Sequence, residues 1–363
     1  MIHRTRKDLT DCTYAALASK GRERGPRGAR WGVFAALALL TVVLVSGFVL
    51  GCGSGSAQSQ KLAKITLVAP PGPLAIPLAY MAANNKMAAV ADKTEVVVWE
   101  NTQQLQAMVA GGQGDFVTMP SNNAAIFYNK GVPLRLLDIT VWNITYLVSS
   151  DANVKSFADI KGQSIAVPFE GSVPDLMFQY LAKKEGLDPQ KDFKVLYASD
   201  PTQATQLLLA SNVQNAVLSE PMPTAALLQA TGAGKKVYRA FSFDKAWDQA
   251  TGASSPTPIA GTVATANVLD KPAVVAEFLK QYQAAVKWML ANPTQAGQLI
   301  QKTFPQLGLQ AVPMTESLKN VTWKFTAAAQ AKKDVNTFLG TLATLSPEVI
   351  GGKVPDAGFY YGS

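Results

Sequence analysis

Cysteine and histidine are almost missing from this chain of 363 residues: it holds two cysteines, Cys12 and Cys52, and one histidine, His3. All three lie within the first 52 residues. The long body that follows has no thiol for a disulfide, no thiolate nucleophile and no imidazole. Ser-His-Asp and Cys-His catalysis are therefore excluded for it, as is a zinc site built on His or Cys. A Ser-Lys or two-carboxylate hydrolase is not excluded by composition, but no spacing of such residues suggests one. The basic excess is equally local. The chain has 33 Lys and Arg against 25 Asp and Glu, and residues 1–30 alone hold eight of the former and three of the latter, so the remainder carries 25 against 22. A body so nearly neutral, without a clustered basic face, gives no reason to expect nucleic acid.

From Trp31 to Leu50 no residue is charged. A basic segment followed by an apolar one is a secretory address. Twenty helical residues reach roughly 30 Å, so length alone does not separate a cleaved leader from a permanent anchor. The residues at its end, Val49-Leu50-Gly51-Cys52, resemble a bacterial lipobox, at which the cysteine is lipidated and becomes the mature N-terminus. The expectation is a leader over 1–51, a lipid on Cys52 and a flexible tether of small polar residues over 52–61. An uncleaved anchor is the alternative. Both leave the body outside the cytoplasmic membrane.

The roughly 310 remaining residues exceed what one core usually serves, and two lobes are expected. Runs rich in β-branched and apolar residues recur at Lys64–Ala69, Glu95–Trp99, Asp115–Met119, Leu134–Trp142, Ser164–Phe169, Phe193–Ala198 and Ala216–Ser219. Segments of helical spacing separate them, which predicts an α/β fold with parallel sheets. The clearest helix is Lys271–Leu290, with Asp270 as its cap, Pro272 in its first turn, and Val274, Phe278, Tyr282, Val286 and Met289 along one face. Asn292-Pro293 stops it. Beyond that the pattern reads as mostly helical, Trp323 included, with a loose tail after Pro347.

An internal echo joins the two halves. "TQQLQAMVAGGQGDFVTMPSNNAAI" from Thr102 and "TQATQLLLASNVQNAVLSEPMPTAA" from Thr202 match in kind at an offset of one hundred, each reading as helix, turn, strand and loop. Gly111-Gly112 and Ser211-Asn212 suit the left-handed turn after each helix. If each copy belongs to its own lobe, the loops at Ser121-Asn122 and Glu220-Pro221 face one another across a cleft at the strand carboxyl ends.

The stretches "DIKGQSIAVPFEGSVPDLMFQYLAKKEGLDP" (Asp159–Pro189), "AVLSEP" (Ala216–Pro221) and "SFDKAW" (Ser242–Trp247) resemble the nitrate, sulfonate, taurine and thiamine-precursor group of substrate-binding proteins for ABC importers. The similarity covers nearly all of residues 62–345. It implies a two-lobe, type II periplasmic-binding-protein fold: lobe one from 62–148 plus 262–345, lobe two from 149–261, two crossover strands between them, and a tail over 346–363. It also implies a small-molecule ligand and a membrane permease as partners, with the chain acting as a monomer and without a cofactor. Thiamine-pyrimidine synthases resemble the same fold, but their chemistry draws on histidine. A ligand-dependent partner of a sensor is a further alternative.

Candidate ligand contacts follow, each with a structural competitor. The Glu170-Gly171-Ser172 turn, with Asp175 just beyond, can aim backbone N–H groups at an anion, or it is an ordinary capped helix start. Ser121 and Asn122 follow an apolar strand, where they contact ligand or cap a helix. Glu220 accepts from a ligand donor, or it pairs with a basic side chain across the hinge. Trp99, Trp142 and Trp247 stack on a ring or fill the core, whereas Trp288 and Trp323 read as packing residues. The candidate loops carry Glu100, Glu170, Glu220 and Asp244 but no Arg. That balance leans toward a heterocycle or another organic ligand with donor groups, over a sulfonate or nitrate.

Overall fold

The computed structural model describes residues 61–252 and 257–362, so Cys52, the leader and most of the tether lie outside the described residues. β1 (Leu62–Ala69) is followed by α1 (Ala75–Ala83), β2 (Ala91–Val98), α2 (Thr102–Ala110), β3 (Phe116–Pro120) and α3 (Ser121–Asn129). Next come β4 (Leu134–Asn143), β5 (Thr145–Ser149), β6 (Ser164–Pro168), α4 (Val173–Lys184), β7 (Lys194–Ala198), α5 (Pro201–Leu209), β8 (Asn215–Ser219) and α6 (Met222–Gly232). β9 (Tyr238–Ser242), α7 (Phe243–Thr251), β10 (Ala260–Thr265), α8 (Ala266–Leu269) and α9 (Pro272–Ala291) lead into α10 (Pro293–Thr303), α11 (Ala311–Ser317), β11 (Thr322–Ala327) and α12 (Ala328–Ala343). All seven runs singled out in the sequence are strands. β5, β9, β10 and β11 go beyond that reading, and the last puts Trp323 on a strand rather than a helix.

The sheets are mixed, not parallel. The first has the order β11-β4-β10-β3-β1-β2 and the second β7-β6-β8-β5-β9. β1 runs parallel to β2 and β3, and β6 to β7 and β8. β10 is antiparallel to β3 and β4, and β5 to β8 and β9. The cause is the crossing of the chain. β4 runs through Ile144 directly into β5 of the second sheet, and the chain returns from α7 into β10 of the first. A strand that enters a sheet from the end where parallel strands finish must run against them.

The sequence echo is part of a larger repeat. β1-α1-β2-α2-β3-α3 and β6-α4-β7-α5-β8-α6 share one order, and in each the first strand lies between the other two. The register is 99, not one hundred: α2 and α5 start at Thr102 and Pro201, and β3 and β8 at Phe116 and Asn215. The left-handed turn residues obey it, Gly112 at φ +65° and Ser211 at φ +62°. So do reciprocal caps. Asn101 accepts from the Gln104 N–H while the Gln104 side chain accepts from the Glu100 N–H, and Asp200, Gln203 and Ser199 repeat the arrangement. The matching Thr-Gln pairs in the sequence are a one-residue slip from the caps that decide the alignment.

α9 buries Val274, Phe278, Tyr282, Val286 and Met289 against the first sheet, with Phe278 stacked on Phe116 at 3.9 Å. Pro272 opens it, but Asp270 does not cap it; Lys271 occupies the cap position and holds the Asp270 carboxylate at 2.7 Å. The C-terminal segment is likewise not loose. Ile350, Phe359 and Tyr360 are buried, the Tyr361 N–H donates to the Leu136 carbonyl at 2.9 Å, and the Asn129 amide donates to the carbonyls of Ile350 and Lys353. Its aromatic residues find the open side of α3 and β4, a partner that local sequence does not reveal. Among the described residues no helix is long and apolar enough to cross a membrane.

Candidate functional site

Gly72 follows β1, and a Cβ placed on it would sit 3.5 Å from Cδ of Pro221, which follows β8. The carboxyl ends of the two sets of parallel strands therefore face each other. The loops after β1 and β8 touch there, at the strand ends where open α/β sheets bind ligands. Burial grades this cleft. Gly72, Pro73, Leu74 and Glu220 are buried, whereas Glu100, Asn101, Phe169, Glu170, Gly171 and Ser199 are exposed. It is shut beside β1 and β8 and open toward β2, β6 and β7.

Ser121 sits at the hinge. Its N–H donates to the Ile259 carbonyl at 2.9 Å and its hydroxyl to the Pro258 carbonyl at 2.7 Å, both in the returning crossover. Asn122 turns to the C-terminal segment, donating to the Val349 carbonyl at 3.2 Å. The Trp99 indole donates to the Thr118 carbonyl at 3.2 Å and the Trp142 indole to the Lys324 carbonyl at 2.8 Å; both rings are buried. Trp247 lies on α7 between the rings of Tyr180 and Phe338, at 4.9 and 5.0 Å, and so seals α7 against α12.

Glu220 is held by Arg239 of β9, whose Nε and Nη2 donate to Oε1 at 3.0 and 2.6 Å, while the Thr224 N–H donates to Oε2 at 3.2 Å. The pair lies within the second sheet rather than across the hinge. Burial raises the Glu220 carboxyl above its usual range, against the opposing pull of Arg239. Arg239 also donates to the Thr224 hydroxyl and stands over the Tyr146 ring at 5.6 Å. Asn320, just before β11, donates to the same hydroxyl at 3.3 Å and accepts from the Tyr146 phenol through its carbonyl. This cluster ties the first sheet's chain to the second.

The turn after β6 uses its donors internally. The Gly171 N–H donates to Asp175 Oδ2 at 2.8 Å, and the Ser172 N–H to the Phe169 carbonyl at 2.9 Å. Ser172 caps α4. Asp175 is fully buried, and burial raises its carboxyl above the usual range despite the Gly171, Gln179 and Tyr197 donors. Beside Glu170 and Gly171, the turn leaves an aromatic ring exposed. Phe169, at φ +54°, is 37% exposed and Tyr197 on the neighbouring strand 44%. A bulky residue held in the left-handed region is strained, a condition that tends to accompany function.

Arg239, Phe169 and Tyr197 were legible only in part. Arg239 lies in the unread strand β9, whose signal is "KKVYRAFS", a short β-branched and aromatic run interrupted by one cation. Two surface grooves lie apart from this cleft. One of about 440 Å³ is lined by Tyr80, Asn84, Trp288 and Lys302, and one of about 600 Å³ by Gln179, Lys183 and Asp188. Among the described residues no three His, Cys, Asp or Glu side chains gather as a metal site.

Known structures share this architecture. An ABC transporter protein from Parabacteroides distasonis is 23% identical, with a TM-score of 0.67 over 82% of this chain and 98% of its own. The periplasmic aliphatic sulphonate binding protein SsuA from Escherichia coli is 19% identical, with a TM-score of 0.63 over 82% and 92%. The periplasmic nitrate-binding protein NrtA from Synechocystis PCC 6803 is 16% identical, with a TM-score of 0.60 over 78% and 82%. At such identities the likeness establishes the fold, that of a two-lobe type II periplasmic binding protein. No curated protein is a significant sequence match. The family model described as NMT1-like matches residues 75–302, well over half of the sequence. The chain belongs to the NMT1-like family.

Proposed function

We propose that the chain is an extracytoplasmic solute-binding protein that captures a small organic ligand between its lobes and delivers it to an ABC permease. The observation that carries this reading is the duplicated hinge: two equivalent sheets, joined by two crossovers, with their parallel-strand ends opposed. A ligand touching both lobes favours the closed arrangement by its differential contacts, and the permease reads that shape. Binding without turnover is the expected activity, in a body that has neither His nor Cys. Lipidation at Cys52 would tether the chain to the outer face of the membrane.

The ligand reading is a flat heterocycle of pyrimidine type with donor groups. Arg239 is neutralised by Glu220, and the Gly171 and Ser172 N–H groups are engaged within the turn. The open end instead offers the Phe169 and Tyr197 rings and the carboxylates of Glu100 and Glu170. Rings stack and carboxylates accept from N–H donors. Trp99, Trp142, Ser121 and Asn122 then support the cleft rather than touch its occupant.

The test is a thermal-shift panel on the full-length chain with nitrate, alkanesulfonates, pyrimidines and flavins, since a ligand bound only by the folded state raises its melting temperature. A pyrimidine should raise it, and should be recovered chemically unaltered. A response confined to nitrate or sulfonates overturns the ligand class; a converted ligand overturns the reading as a binding protein.

A further inference from the structure

Five buried residues bring polar oxygens together under α9, on one face of the first sheet. Thr262 of β10 pairs in register with Thr118 of β3 on one side and with Asp138 of β4 on the other, so three polar side chains form a row across neighbouring strands. Thr140 stands two residues beyond Asp138 on the same face. Tyr282 of α9 covers the row, its hydroxyl lying against Thr118, Thr140 and Thr262. All five are at most 1% exposed, in a core otherwise made of residues such as Phe116, Leu137 and Phe278.

The row does not satisfy itself. Thr140 donates to Asp138 Oδ1 at 2.5 Å, but Asp138 Oδ2 and the Tyr282 hydroxyl make no hydrogen bond of normal geometry, although Thr262 stands near the carboxyl and three threonines near the phenol. The Thr118 and Thr262 hydroxyl oxygens are 3.4 Å apart, beyond the usual reach of an O–H···O bond. Burial pushes the Asp138 carboxyl up to about 7, against hydrogen bonds from Thr140 and from the hydroxyl and N–H of Thr262, and no cation is among the groups that act on it. A carboxylate that has hydroxyl donors but no counter-charge in such a place is costly.

We propose that this row binds one dehydrated monovalent cation, sodium, through the Asp138 carboxylate, the Thr118 and Thr262 hydroxyls and the Tyr282 phenol oxygen. One carboxylate and one monovalent ion leave the core neutral, whereas a divalent ion would bury a net positive charge. Hard cations take oxygen ligands at about 2.4 Å, and two such ligands at right angles stand about 3.4 Å apart, the spacing of Thr118 and Thr262. The ion would pin β3, β10, β4 and α9 together directly below the returning crossover.

The test is thermal unfolding of the full-length chain in sodium, potassium and N-methylglucamine chloride at one ionic strength. Sodium at ten times its dissociation constant multiplies the folded-to-unfolded ratio about elevenfold, so the melting temperature climbs with sodium and not with N-methylglucamine. Thr118→Val and Tyr282→Phe, each removing one oxygen with little change of volume, should raise the sodium concentration needed by about tenfold, a single lost ligand contact. Asp138→Asn should abolish the response. If that variant fails to fold, the two conservative ones still decide. Equal melting temperatures in all three salts overturn the proposal and leave Asp138 protonated within the row. A sodium response that all three variants retain also overturns it, by placing the ion elsewhere.

Discussion

Ser121 and Glu220 stand at the same position in the two repeated units, one residue past β3 and β8, and each donates its backbone N–H to a crossover carbonyl at 2.9 Å, Ser121 to Ile259 and Glu220 to Ile144. The hinge is one device used twice. Its side chains reinforce it differently, Ser121 through the Pro258 carbonyl and Glu220 through Arg239. Glu220→Ala leaves Arg239 without its carboxylate and should destabilise the ligand-free protein by about 3 kcal/mol. Ser121→Ala should cost about 1 kcal/mol. Urea denaturation measures both. Unchanged midpoints together with weakened ligand binding would mean that these side chains serve the cleft instead.

Truncation after Leu345 should be strongly destabilising. It removes Ile350, Phe359 and Tyr360 from the core along with the carbonyls that Asn122 and Asn129 hold. Three buried side chains at about 1.5–3 kcal/mol each set a loss on the order of 5 kcal/mol. A shortened chain that melts at the same temperature would show the tail to be dispensable.

Asp175 should leave a pH signature. Burial raises its folded carboxyl above the ordinary value, and the nearby Glu170 charge acts in the same direction. Folding then favours the protonated form, so this group's contribution is full below about pH 4, near the unfolded value, and is lost as pH rises through the raised folded value. The stability of the native chain minus that of Asp175→Asn should therefore fall as pH climbs. A difference that grows with pH would mean that the turn's donors outweigh burial.

Phe169→Gly separates strain from binding. Glycine accepts φ +54° freely, so relief of about 1–3 kcal/mol of strain should offset much of what the loss of the ring's buried part and glycine's chain entropy cost, and ligand-free stability should fall by no more than about 1 kcal/mol. Binding of whichever pyrimidine raises the melting temperature should weaken about tenfold, the worth of one aromatic contact. A larger loss of apo stability with full affinity would make Phe169 a packing residue.

Cys52→Ala tests the anchor. Release from membranes, or an unprocessed leader, is the expected outcome in a bacterial host; membrane association and mass unchanged would assign the anchoring to Trp31–Leu50.

The sequence by itself determined the local elements and their kinship. Seven strands, the core face of α9 and the repeat were readable because each is set by neighbours within a few turns of chain: side-chain periodicity, a proline at a helix start, a left-handed turn residue. The α/β class was readable for the same reason, and the lack of His and Cys after Cys52 needs no coordinates. Only the tertiary structure decided which strands run antiparallel, because that depends on the end from which the chain re-enters a sheet. It alone paired Glu220 with Arg239, 19 residues apart, and Asn122 with Val349, 227 residues apart. A polar side chain at a strand end looks the same in sequence whether it meets a ligand or the chain's own carbonyl. Which carbonyl it can reach depends on long-range packing, and here Ser121, Asn122, Trp99 and Trp142 each donate to a carbonyl of the chain while Phe169 and Tyr197 stay exposed.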